Sequence, residues 1–478
     1  MSTCKYGKEQ YVELLRYVPF RKVTYLGEIP MLRKHINRRR FLAATAKAAA
    51  ITIVPRQVLG GQGHTPPSEK LNIAGIGIGG MGNSNLRQLE SENIVALCDV
   101  DHEYAAKTFE RYPKAKIYTD FRKMLDKQKD IDAVMIATPD HTHAVISMEA
   151  MRRKKHVYCQ KPLTHDVYES RMLAKAAREN SVTTQMGIQG HSGEGIRLIS
   201  EWISDGAIGQ VRQVDAWCSL SYYPFGHAYW SSKWSRRPKD TPPVPSTLDW
   251  DLWLGPAPER PYHPAYHPAV WRCWWDFGCG MMGDRGAHTL DPVVWALKLG
   301  HPRSVEATSL DLNPDTHPLA SIVTYRFGAR GDLPPVKLTW YEGVRPPRPK
   351  ELGDGRRMGH AEGGALFKGS KGKLVAGVYG EDPRLIPESK MKAYKMPEQT
   401  IPRVNGSHEQ DWVRACKAGR QAGADFEYSG LLTELCLLGN VAKRVDARIE
   451  WDPDNMKVTN LPEANKYIRT RYRKGWTL

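Results

Sequence analysis

Between Leu71 and about Gly190, short apolar runs alternate with longer stretches whose apolar positions recur at helical spacing. The runs at 71–76, 94–98, 132–137 and 156–159 have the length of buried strands, and 142–153 and 167–180 read as helices between them. Such alternation predicts a parallel sheet with helices on both faces, and ligands then sit at the carboxyl ends of the strands. The residues closing those strands are Asp99, Thr138-Pro139 and Gln160-Lys161-Pro162. All are therefore expected to line one crevice.

The second half has a different rhythm. Residues 211–218, 304–312, 321–327, 336–341 and 364–378 are strand-like, with few helical patterns between them. An open, mostly antiparallel sheet is expected there. Two amphipathic helices follow, around 408–418 and 429–445, ahead of a basic tail. The fold class is α/β: an N-terminal Rossmann domain over 70–190 with a doubly wound parallel sheet, and a second α/β domain over 191–478. Residues 61–69 form a linker to an N-terminal extension, 1–60.

The first turn of the parallel half carries the sharpest signal. Gly77-Ile78-Gly79-Gly80-Met81-Gly82 follows the strand at 71–76, and the next strand ends on Asp99. Glycines let the backbone turn tightly and approach a pyrophosphate, whose charge sits at a helix N-terminus; an acid on the second strand accepts from an adenosine ribose. Gly77, Gly79, Gly80, Met81 and Gly82 are thus expected around a dinucleotide, with Asp99 on its ribose. A carboxylate there repels a 2′-phosphate, and Asp101 and His102 follow with no arginine. NAD is favoured over NADP.

Composition changes this picture mainly at the N-terminus. The net charge of +17 could suggest nucleic acid, but twelve Lys or Arg against three acids in residues 1–60 supply +9 of it. The remaining +8 is spread with no dominant basic block, so no nucleic-acid partner is expected. Asn37-Arg38-Arg39-Arg40-Phe41-Leu42 precedes an alanine-rich apolar run from Ala43 to Val54, the pattern of a twin-arginine export signal. That predicts a periplasmic destination, with the start open between Met1 and Met31, the second of which would leave a basic region of normal length; an ordinary basic amphipathic helix is the other reading. The run is short and weakly apolar for a membrane span, so no stable anchor is expected. The eight cysteines are expected as free buried thiols, since this export route carries proteins already folded in a reducing cytosol. Cys273 and Cys279 alone leave a disulfide open. No C-x-x-C spacing points to a metal.

Residues 217–275 hold eight of the fourteen tryptophans, with Tyr222, Tyr223, Tyr229, Tyr262 and Tyr266. Aromatic faces stack on sugar rings, or they form the core of a proline-stiffened loop or a subunit contact. Two clusters carry the chemistry. Lys161, partly desolvated at a strand end, is placed to give a proton or a hydrogen bond to a substrate oxygen, unless it is a plain surface lysine after a strand. Asp284, His288 and Asp291 stand at i, i+4 and i+7, sharing one face if helical. A histidine beside a carboxylate is an acid–base pair for a hydroxyl proton as hydride leaves the carbon. Asp291 before Pro292 also reads as an N-cap and first helical residue, with Asp284 and His288 on the preceding turn. As metal ligands, Asp284 and His288 lack a third partner.

Gly77-x-Gly79-x-x-Gly82, Thr138-Pro139 with His143, Gln160-Lys161-Pro162 and Asp284-x-Gly286-x-His288-x-x-Asp291, in this order, resemble the glucose–fructose oxidoreductase, inositol dehydrogenase and MocA (Gfo/Idh/MocA) family. The similarity runs from about Lys70 to the C-terminus and includes 367–374 and 472–476. It implies NAD(P)-linked oxidation or reduction of sugars, polyols or related compounds, with Thr138, Pro139, His143, Gln160 and Lys161 at the cofactor. It makes Lys161 the catalytic lysine and Asp284 and His288 the substrate-side acid–base residues, with Gln189, Arg272 and Trp275 beside them on the substrate. A homo-oligomer through the C-terminal sheet is implied as well. Gln160 departs from the family's usual Glu-Lys-Pro and removes a negative charge beside Lys161.

Export adds a demand, because nicotinamide is not freely recycled outside the cytoplasm. A tightly bound cofactor that returns to its starting state each turnover is expected. A dehydrogenase cycling hydride between two sugar-like substrates meets this. So does an NAD-dependent glycosidase, in which transient oxidation, elimination, water addition and re-reduction break a glycosidic bond, unlike the usual two-carboxylate pattern. A nucleotide-binding scaffold without catalysis is the third reading, and Gln160 is its only support.

Overall fold

The computed structural model describes residues 69–222 and 232–478. The twin-arginine pattern, Met31, Tyr223 and Tyr229 lie outside the described residues. Six parallel strands build the first layer: β1 (Asn72–Ile76), β2 (Asn93–Cys98), β3 (Lys116–Tyr118), β4 (Ala133–Ile136), β5 (His156–Gln160) and β6 (Thr184–Gly187). Their order is β3-β2-β1-β4-β5-β6. Direction reverses between β1 and β4, and such a switch point opens a crevice at the strand ends. β4 is buried throughout and β1 and β5 nearly so, as parallel strands covered on both faces require.

The helices of this half are α1 (Met81–Gln88), α2 (Ala106–Arg111), α3 (Phe121–Lys127), α4 (Asp140–Arg152) and α5 (Val167–Asn180). α5 begins where its sequence dictates: Asp166 and Glu169 each accept the other's backbone N–H, a reciprocal cap. α4 opens directly after Thr138-Pro139, with Pro139 at its N-cap.

After α6 (Glu194–Ser204) the chain enters β7 (Val211–Cys218) and a second sheet. α7 (Ala287–Ala296) precedes β8 (Ser304–Leu310), β9 (Ala320–Phe327), β10 (Val336–Glu342), β11 (Gly363–Gly369), β12 (Lys373–Ala376) and β13 (Arg384–Ile386). Then come α8 (His408–Lys417), α9 (Phe426–Val445), β14 (Arg448–Asp452) and β15 (Lys457–Val458). Among the described residues the sheet has nine strands, β13-β12-β11-β7-β10-β9-β8-β14-β15, and only β7 and β10 run parallel. α9 lies on β8 and β9 and also along α5, so one helix ties the two halves together.

The strand expected over 364–378 is a hairpin, broken at Ser370–Gly372 between β11 and β12. β3, β13 and β15 are three residues or fewer, too short to leave a period in the sequence. The largest difference lies at Asp291. The helix does not start there: a π-helical turn, Met282–Gly286, runs straight into α7, and Pro292 sits inside it. Pro292 has no N–H for the His288 carbonyl one turn back, and the wide turn upstream re-aims Asp284 relative to the rest of the helix.

The seven cysteines among the described residues are all buried and unpaired. Cys273 points its thiol at the Val270 carbonyl and Cys279 at that of Thr164, so the disulfide left open is not formed. Trp217, Trp253, Trp271, Trp274 and Trp275 are buried, which gives most of the aromatic segment a core role. Among the described residues, no helix is long and apolar enough to cross a membrane.

Candidate active site

A cavity of about 920 Å³ opens at the switch point, and Asp99, Thr138, Pro139, Gln160 and Lys161 all line it. Gly77, Gly79, Gly80 and Met81 form one end. Gly77 turns with φ +74°, where an L side chain is strained. A Cβ on Gly82 would stand 2.0 Å from the Gly77 carbonyl oxygen, so Gly82 is what lets α1 close against the loop. Gly82 itself does not reach the cavity wall. The N-terminus of α1 has no side-chain cap, and Gly80 and Met81 line the cavity there. Uncapped N–H groups beside a glycine turn fit a pyrophosphate. Asp99 accepts from the backbone N–H of Ile78 at 2.8 Å and of Asp101 at 3.0 Å, fixing its carboxylate at the cavity wall. It retains lone pairs for a ribose hydroxyl. The residues present therefore fit a dinucleotide.

A distant segment closes this end. Asp249 donates to the Val100 carbonyl at 2.8 Å, His102 donates to Thr247 at 3.0 Å, and Asp101 and Leu248 form an antiparallel bridge. His267 Nε2 lies 2.7 Å from the Asp101 carboxylate. The strap 247–272 thus hooks onto the residues just past β2, and its Leu252, Trp253, His267, Pro268, Ala269, Trp271 and Arg272 line the cavity. Trp476 of the tail joins them beside Phe121, with the Arg122 guanidinium 4.7 Å over its ring.

At the opposite end, Lys161 Nζ is ion-paired with Asp284, and Tyr222 donates to the other carboxylate oxygen at 3.5 Å. Burial, then the charges of Arg272 and Arg285, pull the lysine down to about 7, against the opposing pull of Asp140. Asp140 accepts from the Cys279 N–H at 2.9 Å, and burial lifts its carboxyl to about 6. His288 is buried one turn beyond Asp284, its ring edge-on to Tyr379 with centroids 4.7 Å apart. Burial and then the positive charge of Lys161 hold it neutral, well below the ordinary histidine range. Its Nδ1 has no hydrogen-bond partner among the described residues. Arg285 donates to the Tyr379 hydroxyl at 2.9 Å and pairs with Glu362 at 2.6 Å.

Gln160 is held on both sides. Its amide donates to Asn85 at 3.0 Å and accepts from the Lys161 N–H at 3.3 Å. Asn85 in turn donates to the buried Glu409 carboxylate at 2.7 Å.

Gln189, Arg272, Asp284 and His288 line the cavity as the sequence suggests, but His143, Trp275 and Asp291, like Gly82, stand elsewhere. His143 lies beneath the wall, its Nδ1 2.8 Å from the Pro162 carbonyl and its Nε2 2.9 Å from that of Thr138. It ties together two turns that line the cavity and does not face it. Trp275 belongs to a second cavity of about 310 Å³, with its indole on the Asn313 carbonyl and the Arg444 guanidinium 4.3 Å above it. Asp291 does not join Asp284 and His288 at the cavity; it binds His191 at 2.8 Å and Tyr428 at 2.5 Å instead. Sequence reasoning missed Asp140 and Arg285, each adjacent to a residue it did single out. Tyr379 carried no sequence signal, and Trp476 was marked only as part of the tail that shares the family resemblance.

Residues 71–188 match a family model described as "Oxidoreductase family, NAD-binding Rossmann fold", and residues 221–478, more than half of the chain, match its "C-terminal alpha/beta domain" partner. Inositol 2-dehydrogenase of Salmonella typhimurium is 28% identical over 145 residues, which are 29% of this chain and 43% of that protein. Levoglucosan dehydrogenase of Pseudarthrobacter phenanthrenivorans is 30% identical over 115 residues, 24% of this chain and 29% of that one. The chain thus spans less than half the length of these curated relatives. Among solved structures, the WlbA dehydrogenase of Bordetella pertussis in complex with NADH and UDP-GlcNAcA superposes with a TM-score of 0.57 at 16% identity, covering 80% of this chain and 99% of that one. Levoglucosan dehydrogenase in complex with NADH gives 0.54 at 17% identity over 80% and 99% of the two chains. At such identity these structures show the fold alone.

Proposed function

The chain belongs to the Gfo/Idh/MocA oxidoreductase family, with an NAD-binding Rossmann domain over 71–188, and on that premise we propose that it oxidises a hydroxyl-bearing carbon of a carbohydrate or polyol. The observation that carries this is the Lys161–Asp284 pair in the same cavity as the glycine turn. Bound NAD supplies the hydride acceptor. As hydride leaves the carbon, the O–H proton passes to the Lys161 amine, and the resulting ammonium is held by Asp284. A base with a pKa near neutrality suits both directions of such a transfer. His288, neutral and with a free Nδ1, orients the substrate hydroxyl as a hydrogen-bond partner.

The strap supports a cofactor that stays in place between turnovers. A cycle that ends with the nicotinamide in its starting state is then required: hydride exchange between two substrates, or the redox-neutral glycosidase route. Export by the twin-arginine signal and assembly through the C-terminal sheet accompany this proposal. The test is a mass spectrum of the cofactor released when purified protein is denatured, followed by free sugars and aryl glycosides screened at the reduced-nicotinamide absorbance band. NAD released in near-equal amount to protein, with absorbance changes on a free sugar, is the expected result. Protein that purifies empty and needs millimolar NAD contradicts retention, and glycoside cleavage without net reduction selects the glycosidase.

A further inference from the structure

The charges lining the cavity do not balance. Each acid in its wall is already engaged: Asp99 by two backbone N–H groups, Asp120 by Arg122, Asp140 by Cys279 and Asp284 by Lys161. Of the cations, Lys161 has Asp284 and Arg285 has Glu362. Arg272 has neither. Its Nη1 donates to the Ala269 carbonyl at 2.8 Å and its guanidinium lies 4.2 Å over the Trp271 ring. Among the described residues no carboxylate lies within ion-pairing distance of it. A guanidinium has five N–H donors in one plane, and stacking on an indole occupies its face and leaves those donors for a ligand. The guanidinium therefore faces the cavity with donors to spare.

Its place in the cavity says which ligand that is. The charge of Arg272 is felt by Lys161, Asp140 and Tyr222, the groups around the reacting carbon. The cofactor's phosphates are served by the glycine turn and the uncapped end of α1. We propose that the substrate is a sugar acid whose carboxylate is taken by Arg272, in the planar two-point geometry that matches guanidinium to carboxylate. This rests on the oxidoreductase reading for the chemistry, and on Arg272 alone for the charge.

The test uses the purified protein with its bound cofactor. Glucuronate and galacturonate are titrated by calorimetry beside glucose and galactose, and each is assayed for nicotinamide reduction. At least one acid is expected to bind about ten- to a hundredfold more tightly than its neutral hexose. Arg272→Gln collapses that ratio toward one, chiefly by weakening the acid, and Arg272→Lys restores part of it. NAD released on denaturation stays at the wild-type level in both variants. Equal binding of acids and hexoses overturns the inference. So does loss of NAD from Arg272→Gln, because the guanidinium then holds cofactor phosphate. Binding is read without turnover, so selectivity for the acid with no nicotinamide reduction would leave the carboxylate site standing and sink the oxidoreductase reading instead.

Discussion

Lys161 offers a prediction that needs no substrate. Its pKa of about 7, set first by burial and then by Arg272 and Arg285, changes how much of it is neutral. At pH 7 about half of Lys161 is the free amine, against about three in ten thousand for a lysine at its ordinary value of 10.5. The gain in reactive base is on the order of a thousandfold. The sign follows directly: below 7 the side chain is an ammonium held by Asp284, and above 7 it is an amine able to accept a proton. Trace acetylation across a pH series, read peptide by peptide in a mass spectrometer, measures this. Lys161 should reach half-maximal reactivity near pH 7 while surface lysines do so near 10. Oxidation should rise through the same pH, and reduction should fall through it. Lys161→Arg keeps a cation against Asp284 but cannot titrate in this range, so it should lose the limb and about two to four orders of magnitude in turnover. A Lys161 labelling midpoint at 10 or above would refute the assignment, whatever the substrate proves to be.

Other expectations are more local. Gly82→Ala drives a Cβ to 2.0 Å from a backbone oxygen that cannot yield, so it should cost about 1–3 kcal/mol in chemical unfolding and lower the NAD carried through gel filtration. Gln160→Glu, which restores the family's usual residue, should destabilise this chain: it removes the amide donor to Asn85 and brings a second buried carboxylate close to Glu409. A loss of about 1–3 kcal/mol is expected, and an unchanged unfolding midpoint would contradict it. His143 faces two carbonyls with both ring nitrogens; burial works against its charge, but Cys159 and those carbonyls raise its pKa above 6.5. Its charged-state stabilisation is therefore full below 6.5 and fades as pH rises through the raised value. The stability gap between wild type and His143→Phe should be wider in acid than in alkali, and a gap independent of pH would count against a charged ring.

Asp99, Thr138, Pro139, Gln160 and Lys161 meet in one cavity because the ends of adjacent parallel strands must. That much follows from hydrophobic rhythm alone. The π turn at Met282–Gly286 was not legible, because one inserted residue leaves no mark in composition; nor was the buried partnership that gives Asp291 to His191 while Asp284 stays on Lys161. Trp275 shows a different limit. Aromatic density flags a segment as important, but only packing decides which of two cavities a given indole serves. Tyr379 and Trp476 arrive from hairpin and tail, contacts that no local pattern encodes.

The hooks between Thr247–Asp249 and Val100–His102, with His267 clasping Asp101, also bear on how the molecule comes to be made. If that belt stays fastened through the life of the fold, a guest as long as a dinucleotide is best taken aboard before the buckle shuts. Refolding from urea with NAD in the buffer should yield working enzyme, and adding the same NAD an hour after refolding should rescue little of it. Each copy of the chain would then be charged once, at birth, and carry that load for life.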